Sequence, residues 1–233
     1  MKEKEELRAS MEDEFVKYDF PGAAAFSTMR NAGLPFPVVL SHQVHGDKIA
    51  VVREFTEDLD GYDAIVTDVP GLAVGVRTAD CVPILLHDSA RGVVAAVHSG
   101  WKGTVQRIAQ KTVRVMQDTF GSKPSDISAV IGPCICAGCF QVGTEVVRMF
   151  KDNGLPLDRI YRWEGPKQDT GMAGGHHIDL VEANRWMLID IGLEESRIHI
   201  CGICSYTDGR FFSARREGKE CGRTVSAIRI DAE

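Results

Sequence analysis

Apolar positions recur with a period of two, or run unbroken, in segments 48–55, 63–67, 72–78, 82–87 and 93–98. Alternation puts every second side chain on one face of an extended chain, and continuous Val/Ile/Leu runs suit strands covered on both faces, so these segments predict β-strands. Gly61, Pro70-Gly71 and residues 89–92 punctuate them at the intervals of tight connections. The period then changes. Val105, Ile108, Ala109, Thr112 and Met116 fall on one helical face, and Gly121 stands where a helix C-terminus stops.

Beyond this helix the pattern predicts a strand over 126–131 and a short helix over 144–151, closed by Asn153-Gly154. Residues 162–177 are polar and contain Gly165, Gly171, Gly174 and Gly175, which reads as a long loop. Asp179 and Glu182 have the spacing of a capping box, and the helix they open carries Leu180, Ala183, Met187, Leu188 and Ile191 inward before ending near Gly192. Segments 197–203, 210–215 and 223–230 read as closing strands. The expected fold class is α/β, a mixed β-sheet core flanked by helices.

Composition narrows the functional classes. The 233 residues, 44% hydrophobic, suffice for a sizeable core, and one catalytic domain over 1–233 is expected, with the charged residues 1–20 peripheral. A net charge of −6 argues against nucleic acid as a partner, because phosphate neutralisation needs clustered Lys and Arg. No apolar run reaches the length of a membrane span, and the N-terminus lacks the apolar stretch of an export signal. Seven cysteines, an odd number, fit reduced thiols better than a disulfide framework, so a cytoplasmic location is expected.

Candidate chemistry lies in three short segments that set a soft metal ligand beside turn-forming residues: Gln43-Val44-His45-Gly46, Thr78-Ala79-Asp80-Cys81 and Val97-His98-Ser99-Gly100-Trp101. Two imidazoles and a thiolate suit zinc, and three protein ligands leave a fourth position for water or substrate. Taken singly, each residue is equally well read as packing, and no local spacing joins them. The same side chains also compose a nucleophilic pair, Cys81 with His98 as base and Asp80 or His45 orienting it. Ser99–Thr104 has the makings of an anion-binding turn, although a strand-to-helix turn needs glycine for steric reasons alone. Cys134, Cys136 and Cys139 form a second thiol-rich stretch, and Cys201 with Cys204 has a CxxC spacing that would serve zinc or a reversible disulfide.

Taken in order, Gln43-Val44-His45-Gly46, Asp63-Ala64, Thr78-Ala79-Asp80-Cys81-Val82-Pro83, His98-Ser99-Gly100-Trp101-Lys102-Gly103, Ile131-Gly132-Pro133, Asn184-Arg185 and Phe212-Ser213 to Gly222-Arg223 resemble the YfiH-like family. This is the laccase-domain or polyphenol-oxidase family, now described as purine nucleoside phosphorylases, and the likeness runs from about Ala24 onward. It implies the YfiH-like fold and a zinc held by His45, Cys81 and His98, with copper as the other metal. It also implies phosphorolysis of adenosine, inosine, guanosine and S-methyl-5′-thioadenosine, together with adenosine deamination. Purine nucleosides and phosphate are then the partners; no pattern specifies an oligomeric state. Gln141, Ser205 and Ala214 depart from the Glu, Thr and Tyr usual at these places, which bears on substrate preference.

On this reading Asp80, Cys81 and His98 are the candidate catalytic residues, Asp80 as a proton shuttle or a partner of the ligands. Gln43, Arg77, Lys102, Arg215 and Arg216 are candidates for substrate binding, the cations orienting phosphate. Two further functions attached to the family are a hydrolase editing cell-wall (peptidoglycan) precursors and a copper-dependent polyphenol oxidase. A structural zinc closed by Cys139 or His177 is the non-enzymatic alternative.

Overall fold

The computed structural model describes residues 9–12, 14–56, 58–165 and 174–232. In chain order the strands are β1 (Ala9–Glu12), β2 (Phe15–Phe20), β3 (Ala23–Thr28), β4 (Val38–Val39), β5 (Ile49–Val51), β6 (Ala64–Thr67), β7 (Ala73–Thr78), β8 (Val82–Asp88) and β9 (Val93–Ser99). They continue with β10 (Ile127–Ile131), β11 (Gln141–Val142), β12 (Tyr161–Glu164), β13 (Gly175–Ile178), β14 (Ile198–Ile200) and β15 (Thr224–Ile230). The helices are α1 (Trp101–Val105), α2 (Ile108–Phe120), α3 (Thr144–Asp152), α4 (Leu157–Ile160), α5 (Leu180–Asp190) and α6 (Ala214–Glu217).

Two six-stranded sheets form the core, ordered β1-β2-β3-β15-β7-β4 and β14-β10-β8-β9-β6-β5, with a three-stranded β11-β13-β12 sheet beside them. Pairing is antiparallel except at β4–β7, β5–β6 and β10–β14. The period of two in β8 sorts its side chains between layers. Ile84 and Leu86 meet Ile108, Val113 and Met116 of α2 and Met187 and Leu188 of α5. Leu85 faces the other way, against Val74, Val76 and Ile228 of the first sheet. The order is therefore sheet, sheet, helices, with helices on one face of the second sheet and the first sheet on its other face. Burial of each such large apolar side chain contributes about 1.5–3 kcal/mol.

The strands expected from 63 to 98 stand within a residue of their predicted limits, because their apolar runs are buried on both sides. Elsewhere the chain departs from expectation. The charged stretch 1–20 contributes β2, whose Val16, Tyr18 and Phe20 are buried while Lys17 and Asp19 face out. The helix expected around 105–120 breaks at Arg107, which has φ +62° and donates through its guanidinium to Gln110 Oε1 and to the carbonyls of Asn153 and Gly154. The expected loop 162–177 lies partly outside the described residues, but its ends pair as β12 and β13, Arg162 opposite His177. Segment 210–215 is no strand: its end begins α6, capped by Ser213 accepting from the Arg216 N–H. The strand expected over 197–203 is reduced to β14. Asp179 caps α5 as expected, accepting from Glu182 N–H at 2.9 Å.

Candidate functional site

The sheet register brings the soft ligands together. Val82 lies opposite Ser99 and Pro83 opposite His98, so Cys81, one residue before β8, stands beside the end of β9. The turn Ala79-Asp80-Cys81 crosses from β7 in the first sheet to β8 in the second, and Asp80 makes the corner at φ +85°. Aspartate tolerates this left-handed conformation better than most residues. His45 arrives from the connection between β4 and β5, also left-handed at φ +59°. One ligand atom from each of His45, Cys81 and His98 lies within 4.8 Å of the other two.

Asp63, immediately before β6, holds this arrangement. Its fully buried carboxylate accepts from the backbone N–H groups of Val44 (3.2 Å), His45 (2.9 Å) and Gly46 (2.7 Å). It also accepts from His98 Nδ1 at 2.7 Å, which fixes the ring and turns Nε2 toward the thiol. Three consecutive N–H groups directed at one carboxylate form an anion nest, and this is what holds His45 in its unusual conformation. Burial alone raises the Asp63 carboxyl, yet the His98 and Gly46 bonds bring it below the usual carboxylate value. The Asp63-Ala64 motif was visible in the sequence, but nothing local to it predicted this role.

Charge at Cys81 and His98 is coupled. Burial pushes the Cys81 thiol up, but the His98 charge and bonds from His45 and His98 bring it down to about 6. Burial pushes His98 down, but Cys81 and Asp63 raise it to about 9. The protein thus favours thiolate beside imidazolium, a pair that can give a proton to substrate, whereas a cation held here would displace the imidazole proton.

Gly100 fits closely over the site: a Cβ there would stand 3.0 Å from Cys81 Sγ and 3.3 Å from His45 Cδ2. The turn it begins is fastened by Asn184, whose Oδ1 accepts from Ser99 Oγ at 2.7 Å and whose Nδ2 donates to Thr104 Oγ1 at 3.2 Å. The glycine in the expected anion-binding turn therefore has a steric cause, and α1 beyond it has only five residues.

Above the ligands opens a cleft of about 860 Å³. Gln43, Arg77, Lys102 and Trp101 line it, as do Leu40, Leu59, Lys219, Arg223 and Ala214. Gln43 is a clamp as well, donating to the Arg77 carbonyl and accepting from its N–H at 2.9 and 2.7 Å. Arg215 and Arg216 are not among the cleft residues, contrary to expectation. Arg215 donates to the carbonyls of Cys139 and Gln141, and Arg216 to those of Ser205, Tyr206 and Phe211. Local sequence did not distinguish these arginines from Lys219 and Arg223, which line the cleft, although the Arg223 guanidinium also donates to backbone carbonyls, those of Lys219, Cys221 and Gly222. Asp80 likewise directs its carboxylate to the wall, accepting from Ser205 Oγ and the Arg215 N–H, each at 2.7 Å. Ser205 keeps the hydroxyl that a threonine would offer there, whereas Ala214 places only a methyl group at its point of the cleft wall.

Neither residue suggested as a fourth ligand joins the trio. His177 hydrogen-bonds the Ala137 carbonyl at 2.9 Å, and Cys139 clusters with Cys136 and Cys204.

The family model described as "Multi-copper polyphenol oxidoreductase laccase" matches residues 23–231. The chain is 42% identical over 175 residues to a purine nucleoside phosphorylase of Bacteroides thetaiotaomicron, covering 75% of this chain but only 63% of that relative's length. It is 42% identical over 203 residues to adenosine deaminase RL5 from an unknown prokaryote, covering 82% and 74% of the two chains. Among solved structures, YlmD from Geobacillus stearothermophilus superposes with a TM-score of 0.83 at 27% identity, over 96% of this chain and 99% of that one. The protein YfiH of Bacillus licheniformis gives the same TM-score of 0.83 and identity of 27%, covering 97% and 99%.

Proposed function

The chain belongs to the family described as multi-copper polyphenol oxidoreductase laccase, the YfiH-like family, and from that premise we propose a zinc-dependent purine nucleoside phosphorylase that also deaminates adenosine. The observation that carries the reading is the convergence of His45, Cys81 and His98 at the floor of a cleft large enough for a nucleoside and phosphate. Adenosine, inosine, guanosine and S-methyl-5′-thioadenosine are the proposed substrates.

The donor set fits zinc. Two imidazoles and a thiolate converge, one imidazole is oriented by a buried carboxylate, and the cleft leaves a side open. A multi-copper cluster needs further imidazoles, and among the described residues no other histidine joins the His45–Cys81–His98 cluster. When bound by His45, Cys81 and His98, zinc supplies Lewis acidity at the reacting centre.

The chain's own residues do the rest. Phosphorolysis forms a bond from a phosphate oxygen to C1′ and breaks the C1′–N9 bond, whose electron pair leaves with the purine. Arg77, Lys102, Lys219 and Arg223 gather positive charge around the incoming phosphate and orient it. Leu40, Leu59 and the Trp101 ring offer apolar surface to the base. In deamination a water adds at C6 and ammonia leaves, at the same floor. Asp80 acts as a positioning residue, fixing the cleft wall through Ser205 and Arg215 rather than meeting substrate.

Incubating the purified protein with adenosine, with and without phosphate and chelator, tests this. Phosphate-dependent adenine and ribose 1-phosphate, abolished by chelator and restored by zinc, are expected, with inosine as the deamination product. Zinc-loaded protein yielding none of these products overturns the reading. A second reading, a cysteine hydrolase acting on cell-wall precursors, draws on the Asp63–His98–Cys81 alignment. That enzyme would keep full activity in chelator and lose it on alkylation of Cys81.

A further inference from the structure

A second set of soft ligands lies behind the cleft wall, outside the site described above. Cys136, Cys139 and Cys204 have sulfurs within 4.8 Å of one another. Cys136 and Cys139 share a tight turn, Cys-Ala-Gly-Cys, in which Cys139 N–H donates to the Cys136 carbonyl at 3.0 Å. Cys204 comes from the loop after β14. That loop is bonded to the first by Cys134 N–H to the Ile203 carbonyl (3.3 Å) and Ser205 N–H to the Cys134 carbonyl (3.0 Å). The other two cysteines of these segments point elsewhere: Cys134 is buried in the helix-side core and Cys201 packs against the core between the sheets. Three dimensions thus select one cysteine of the CxxC at 201–204 and join it to a different CxxC at 136–139.

We propose that Cys136, Cys139 and Cys204 form a second cation site, which takes a thiophilic closed-shell ion of the zinc(II) or copper(I) class and, when filled, fixes the cleft wall.

Geometry supports it. Tetrahedral thiolates about 2.3 Å from zinc have sulfurs about 3.8 Å apart, so the present spacing closes by about an ångström at most. All three thiols are half-buried, which leaves a fourth position open to water for zinc or a trigonal site for copper(I). Cys204 Sγ already accepts from the Cys136 N–H at 3.3 Å, a bond that favours thiolate. An incoming ion displaces each ligating thiol's proton to solvent.

The link to the cleft is direct. Arg215 donates to the Cys139 carbonyl, and its own N–H meets Asp80 Oδ2, next to Ala214 on the cleft wall. Tying 136–139 to 204 therefore braces the segment that carries Ala214, Lys219 and Arg223.

The test uses the full chain, reduced, stripped of metal and dialysed separately against zinc(II) and copper(I), with metal counted by mass spectrometry. Two zinc ions per chain are expected, falling to one in Cys136→Ser/Cys139→Ser/Cys204→Ser and to one in His45→Ala/His98→Ala. With cobalt(II), the sulfur charge-transfer band of the triple-serine variant should fall to about a quarter, one sulfur ligand remaining of four. Cadmium NMR of the unmodified protein covers a variant that fails to fold: two resonances are expected, one in the range of three-thiolate sites. Copper(I) bound in preference to zinc identifies the ion while keeping the site. A single metal per chain, lost entirely in His45→Ala/His98→Ala, overturns the proposal. So does a Cys139–Cys204 disulfide in protein purified without reductant and refractory to metal. Hydrogen exchange over 201–217 should slow as the second equivalent binds; unchanged exchange removes the bracing role.

Discussion

At the floor of the cleft Cys81 stands just before β8, His98 lies in β9 and His45 in the connection between β4 and β5, and a single buried carboxylate, Asp63, sets the positions of the two histidines. At the wall, residues 201–223 contain no strand, and arginine side chains reaching backbone carbonyls do the holding. The first design places rigidity in a sheet ladder and one buried carboxylate, with His98 buried, Cys81 half-buried and His45 exposed to the cleft. The second places it in charge-assisted bonds at a half-exposed surface, where each is worth less and water competes. A floor that must present ligand atoms within a few tenths of an ångström belongs on the ladder; a wall that must admit substrate can rest on weaker ties.

The comparison is tested most severely at Asp63. Asp63→Ala leaves three backbone N–H groups and His98 Nδ1 without their buried acceptor, and a stability loss of about 3–5 kcal/mol in urea unfolding is expected. Metal affinity should also fall by roughly 10–100-fold. A loss no larger than that of an exposed substitution would show that the floor does not depend on this carboxylate.

Gly100→Ala comes next. Its methyl group would press on Cys81 Sγ and His45 Cδ2, and overpacking of about 1–3 kcal/mol is expected together with weakened metal binding. Calorimetric melting and metal titration measure the two effects separately, and unchanged values in both would show a softer floor than the distances imply.

At the wall, Arg216→Lys replaces a fork serving three carbonyls with a point charge, and about 1–2 kcal/mol should be lost. The metal content of the His45/Cys81/His98 site should stay constant, since Arg216 touches none of its residues.

The smallest effect is expected at Glu217, and it is visible in pH rather than in magnitude. The bond from Arg30, aided by Arg216 and the Ser213 N–H, holds its carboxyl at about 2, against an ordinary value of 4.5. The fold favours the ionised form, so this stabilisation is complete above the ordinary value and is lost as pH falls from about 4.5 through about 2. Hydrogen exchange over 205–217 should therefore accelerate across that window in the unmodified protein. In Glu217→Gln it should be fast already at neutral pH and insensitive to this titration.

Floor and wall also differ in how far they could be read from the chain. The strands of the floor were legible because residues 82–86 and 93–97 are apolar without interruption, a pattern that suits strands covered on both faces. The Asp179 cap was legible because its partner is three residues away. His45, Cys81 and His98 could be named as soft ligands in turns, but each was equally plausible as packing until the register aligned Cys81 with the end of β9. The wall was misread for a related reason. Arg215 and Arg216 resemble a phosphate-binding pair in sequence, and what their side chains bond lies up to 76 residues away along the chain. The alternation in β2 was overlooked beside the charges that surround it, and the strands at the ends of 162–177 were hidden by glycine and polar residues.

The sequence by itself determined where the buried strands β6 to β9 and the helices α2 and α5 fall, since apolar periodicity is a local property set by backbone geometry, and it supplied the soft ligands and the cations. Tertiary structure decided which of them act together. It chose Asp63 over Asp80 as the carboxylate behind His98, Lys219 and Arg223 over Arg215 and Arg216 as cleft cations, and Cys136, Cys139 and Cys204 out of five neighbouring thiols. Those choices depend on sheet register and on the crossing of one turn between two sheets. Both arise from burying the whole core at once, so no window of sequence contains them.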